Sequence, residues 1–109
     1  MWLTVSERIL VSSLLLRATG DITTVRVIHE LQQALSFSEE EHKNLAFVNT
    51  ELGTHWNAQA GDLMKDVPIG EKARDVVVNM LKDLDNRHQL TADHIGAYER
   101  FVEGKEAEA

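Results

Sequence analysis

"GEKARDVVVNMLKDLDNRH", residues 70–88, carries the signal that decides the fold. Ala73, Val76, Val77, Met80, Leu81 and Leu84 fall at i, i+3, i+4, i+7, i+8 and i+11, which draws one apolar stripe along an α-helix. Gly70 stands at the N-cap, Glu71 lies in the first turn, and Ile69 just ahead is an apolar anchor. Arg87 and His88 come near the C-terminus, where the helix dipole favours positive charge.

On the C-terminal side, Leu90-Thr91-Ala92-Asp93 starts a last helix capped by Thr91, burying Ile95, Tyr98, Phe101 and Val102. Past Gly104, "KEAEA" has nothing to bury and is expected to fray. The expectation is therefore a single domain over 1–103 with a tail at 104–109.

Toward the N-terminus the chain again reads as helices. Thr4-Val5-Ser6-Glu7 has the capping-box form and opens a helix from Val5 to Arg17, ended by Thr19-Gly20. Its apolar residues spread around most of the circumference in the second half, so it needs cover on more than one side. Asp21 or Thr23 caps a second helix to Leu35, striped by Val27, Ile28, Leu31, Ala34 and Leu35. Ser38 and Glu41 form another capping box, starting a short third helix whose Glu39-Glu40-Glu41 suit a first turn.

Between these halves, residues 47–69 change period. "FVNTEL" alternates weakly, Leu52-Gly53-Thr54-His55-Trp56 suggests a second short strand, and Asp66-Val67-Pro68-Ile69 a third, with Pro68 at a sheet edge. The expected fold is α+β and helix-dominated: four to five helices with a small β-hairpin or three-stranded β element in the middle.

The 109 residues suit one core. A hydrophobic share of 43% is well above the disordered range, and with few aromatics the core must be filled by Leu, Val, Ile and Met. The absence of cysteine removes disulfides and thiolate chemistry and fits a cytoplasmic protein. The apolar run Ile9 to Leu16 lies between Glu7-Arg8 and Arg17, shorter than the roughly 18 residues of a membrane span and without the basic flank of a signal peptide. A net charge of −7 with no Lys/Arg-rich stretch disfavours direct nucleic-acid binding.

Chemistry-bearing motifs are few. No G-x-S-x-G, H-E-x-x-H, P-loop or G-x-G-x-x-G pattern occurs, so the reading is of a non-enzyme without cofactor. A metal-dependent enzyme would have to use Asp85, His88, Asp93 and His94, with the turn at Thr91 folding the second pair back toward the first. A nucleotide-binding inhibitor would need Arg26, Lys72 and Arg74 to converge. Trp56 has two readings: packed on the adjoining helix, or exposed as a partner anchor. The second names His55, Trp56 and Asn57 as a binding surface. Trp2 and the over-apolar first helix suggest in addition a homodimer.

"LTVSERILVSSLLL", "LSFSEEEHKNL" and "VPIGEKARDVVVNMLKDLDNRHQLTADHIGAYERFVE" together resemble small proteins of unknown function encoded by bacteriophages and prophages. Those share a leading T-x-x-E-R helix, an F-S-E-E-E restart, a W-N dipeptide, an I-G-E-K-A helix, L-T-x-x-H and Y-E-x-F. The likeness runs along nearly the whole chain and departs at "NAQAGDLMKD", residues 57–66. It implies a viral origin and action in the host cytoplasm by binding a host or viral protein, as an assembly adaptor or an inhibitor of host defence or metabolism. It implies no activity, so no catalytic residue transfers.

Overall fold

The computed structural model describes residues 1–51, 53–56 and 64–105, with the backbone alone at 49, 50, 53 and 54. Among the described residues five helices dominate: α1 (Val5–Leu15), α2 (Ile22–Leu35), α3 (Glu39–Leu45), α4 (Glu71–Asn86) and α5 (Ile95–Phe101), the last entered through a 3₁₀ turn at Ala92–His94. Four short strands accompany them, β1 (Trp2–Leu3), β2 (Val48–Thr50), β3 (Gly53–His55) and β4 (Lys65–Asp66).

The caps decide where the helices begin. The Glu7 amide donates to Thr4 Oγ1 at 3.2 Å while Thr4 N–H donates back to Glu7 Oε1 at 3.0 Å, and Ser38 and Glu41 repeat the arrangement at 3.1 and 3.0 Å. Asp21, not Thr23, caps α2, accepting from the Thr24 amide at 2.8 Å. That bond holds the Asp21 carboxyl below its ordinary value of 3.8.

α1 is the central element, touching α2, α4 and α5. Val11 and Leu15 from α1, Ile28, Leu31 and Leu35 from α2, Val77 and Leu81 from α4 and Phe101 from α5 close the core with Leu3 and Val67. All six stripe residues of α4 are buried or half-buried, as the period requires. In α5 the expected buried set shifts. Phe101 is buried and Tyr98 and Val102 pack half-buried against the core as expected, Ala97 joins them inside, and Ile95 is instead exposed.

The β residues form two separate antiparallel pairs. β2 and β3 make the hairpin, with Val48 opposite His55 and Thr50 opposite Gly53. The third strand does not join it among the described residues. β4 pairs instead with β1, Trp2 opposite Asp66 and Leu3 opposite Lys65, and the Val67 amide donates to Met1 O at 2.8 Å. Pro68 follows directly and, having no N–H, ends the ladder. No helix is long and apolar enough to cross a membrane among the described residues. The tail expected to fray falls mostly on 106–109, outside the described residues.

Candidate functional site

The most heavily bonded side chain in the N-terminal half is Arg8, which is 2% exposed. It follows Val5 by three residues and precedes Val11 by three and Leu15 by seven, so it lies on the buried stripe of α1. Its Nε donates to Leu35 O at 3.3 Å and its Nη2 to Ser36 O at 2.6 Å, which satisfies carbonyls that the end of α2 leaves without helical partners. Its Nη1 meets Glu41 Oε2 at 2.6 Å, and its guanidinium lies 3.9 Å from the ring centroid of Phe37. The Arg8 hydrogen bonds hold the Glu41 carboxyl far below its ordinary value of 4.5, at about 2, outweighing the opposing effect of burial. One guanidinium thus joins α1, the end of α2, Phe37 and the start of α3.

Phe37 extends the junction into an edge-to-face aromatic group. Its ring lies 5.0 Å from Phe47 and 6.1 Å from His42, and Phe47 lies 6.3 Å from Trp56. Trp56 is half-buried in this contact, while His55 is exposed on β3 and Asn57 lies outside the described residues. Trp56 meets Phe47, in the segment between α3 and β2, rather than a residue of a helix.

Phe37 also closes one end of a groove of about 390 Å³ between α1 and the end of α2. From α1 come Ile9, Ser12, Ser13 and Leu16, at i, i+3, i+4 and i+7 of one face. From α2 and its cap come Gln32, Leu35, Ser36 and Phe37. Two of the hydroxyls are occupied by their own backbone, Ser13 Oγ donating to Ile9 O at 3.0 Å and Ser36 Oγ to Gln33 O at 2.7 Å, which leaves Ser12 and Gln32 as the polar groups beside the apolar lining. Leu16 is 80% exposed on the rim, and Ile22 and Val25, which helical spacing puts on the Gln32 face of α2, are 65% and 42% exposed.

The other candidate residues do not assemble. His88 has φ +55° and occupies the left-handed position after α4, where its amide donates to Asp85 O and the next amide, Gln89, to Leu84 O, the pair of bonds that closes a helix end. His94 is turned to its own cap, its Nδ1 accepting from Thr91 N–H at 2.9 Å. Asp85 faces the Tyr98 hydroxyl, which donates to it at 3.5 Å, and partial desolvation together with Asp85 raises the Tyr98 pKa above 10.0. The described residues contain no group of three or more His, Asp or Glu placed to hold a metal ion, so the set Asp85, His88, Asp93 and His94 is not brought together as ligands. Lys72 lines a cleft with Val27 and Glu30, Arg74 lies in a different cavity, and Arg26 lines neither, so these three do not converge.

No protein-family model matches the chain, and no match is found among curated proteins or solved structures. Arg8 and the groove were not identified as site features from the residues alone. The signal for Arg8 was its place on the buried stripe; the groove has no comparable signal, because it depends on how α1 and α2 are set against each other.

Proposed function

We propose that this protein is a non-catalytic interaction module, an adaptor that binds another protein through the groove between α1 and α2. The observation that carries the reading is Leu16, a large apolar side chain left 80% exposed on the rim of a groove that Ile9, Leu35 and Phe37 also line. An amphipathic helix laid into such a groove buries apolar side chains at i, i+3, i+4 and i+7. Arg8 favours this use by anchoring Phe37 and the end of α2, so the groove is formed before a partner arrives. The partner is a host or viral protein, as the resemblance to phage proteins implies, or a second copy of the chain using the same face.

The test compares the native chain with Leu16→Glu and Ile22→Asp in pull-down from a bacterial host lysate and in light scattering. Both changes are at exposed positions, so stability should stay within about 0.5 kcal/mol. The expected result is a retained protein, or a dimer mass, that both variants lose and Trp56→Ala keeps. Variants that retain every partner and the same mass as the native chain would show that the groove is not the interface.

A further inference from the structure

We infer that a second, separate cavity carries a binding site for a small phosphorylated molecule with a flat or apolar body. A cavity of about 230 Å³ lies where β1, the start of α4 and the end of α5 meet, lined by Trp2, Ile69, Arg74, Arg100, Gly104 and Lys105. In a chain of net charge −7, the described lining of this cavity carries three cationic side chains, Arg74, Arg100 and Lys105.

Arg74 is held by an uncharged acceptor, and the other two cations each face one carboxylate. Arg74 Nε and Nη2 both donate to Phe101 O at 3.3 Å, an acceptor that fixes the guanidinium and is itself uncharged. Arg100 is backed by the buried Glu7, with Nε 3.3 Å from Oε2, a pair outside hydrogen-bond geometry that still orients the side chain. Lys105 meets Glu103 at 3.3 Å, and both are exposed, so that pair exchanges readily for a better anion. Gly104, at φ +70°, turns the chain after α5 and brings Lys105 to the rim.

Two anchored guanidiniums and an ammonium match the charge and multiple acceptors of a phosphate monoester better than those of a carboxylate. Trp2 is 41% exposed and Ile69 half-buried at the same cavity, which provides an apolar surface for the rest of the ligand. The volume exceeds that of a bare phosphate, and the exposed Trp2 lets a ring system extend beyond the cavity mouth.

Titration of the full chain with AMP, adenosine and inorganic phosphate, followed by calorimetry and by the NMR signal of the Trp2 indole N–H, tests the proposal. AMP should bind and shift the Trp2 signal, inorganic phosphate should bind more weakly, and adenosine should not bind. Lys105→Glu, exposed and beyond α5, should leave the fold intact and weaken AMP by about tenfold, since it reverses one charge at the site. Arg74→Gln, which keeps a donor for Phe101 O, should weaken it similarly. The site is refuted by the absence of AMP binding at low-millimolar concentration, or by AMP affinity unchanged in folded Lys105→Glu. Equal affinity for phosphate and AMP would overturn the part assigned to Trp2 and Ile69.

Discussion

Replacing Arg8 by Met keeps the volume and removes every polar bond at the junction of α1, α2 and α3. Three acceptors lose their donor: Leu35 O, Ser36 O and the Glu41 carboxylate. A buried acceptor left unpaired costs about 1–3 kcal/mol, but Glu41 keeps the Ser38 amide and is 29% exposed, so water compensates much of its loss. Methionine also spares the desolvation of a guanidinium and retains apolar contact with Phe37. The balance is a net loss of about 2–4 kcal/mol, a large part of the roughly 5–15 kcal/mol that holds a small domain folded. In thermal melts this lowers Tm by roughly 10–20 °C. Arg8→Lys should fall between, because an ammonium can meet Glu41 but cannot span both carbonyls with a planar fork. The decisive variant is Arg8→Met/Glu41→Leu. If the ion pair were the whole contribution, removing both charges would restore stability, as buried pairs replaced by apolar residues often do. Because the α2 carbonyls remain without donors, the double variant should stay at least about 1 kcal/mol below the native chain in urea unfolding. Native stability in the double variant would refute the role given to those carbonyls.

Other consequences follow from single contacts. Glu41 ionises at about 2 when folded against an ordinary 4.5, so the unfolded chain binds more protons between those values; its contribution is complete above about pH 4.5 and is lost as pH falls toward 2. The stability difference between the native chain and Glu41→Gln, measured by urea midpoints across that window, should therefore shrink as pH is lowered. His88→Gly should raise stability by about 1 kcal/mol, since glycine adopts φ +55° without the steric cost histidine bears. Gly96→Ala places a Cβ 2.9 Å from Glu7 Oε2, and overpacking against that buried carboxylate should cost about 1–3 kcal/mol, with a smaller penalty in a Glu7→Ala background.

The parts of the fold that were legible are those with local causes. The α4 stripe, the Thr4–Glu7 and Ser38–Glu41 capping boxes and the hairpin from Val48 to His55 each depend on residues within a turn or two of one another. What was missed depends on distance along the chain. β1 is two residues long, too short to show a period, and its pairing with β4 joins residues 2 and 66. The same separation took the third strand away from the hairpin. His88 looked like a dipole partner or a ligand because its type suggests charge, whereas its place after Asn86 and Arg87 required a left-handed residue. Of the binding stretch, His55 ends β3 and Trp56 lies just beyond it, and its aromatic contact with Phe47 joins residues nine apart across the hairpin.

Glu7 and Arg8 link these observations. Read in sequence, they are the polar start of a helix, one closing a capping box and the other marking the edge of an apolar run. In the fold both are buried, at 6% and 2% exposure, and being adjacent on a helix they point about 100° apart. Arg8 reaches the end of α2 and the start of α3; Glu7 reaches Gly96 and Arg100 of α5. α1 is therefore positioned on both sides by polar contacts with narrow geometric tolerance, where an apolar stripe alone would allow it to slide or rotate. The two proposed surfaces lie at the ends of these contacts: Arg8 anchors Phe37 at the groove, and Glu7 backs Arg100 at the cationic cavity.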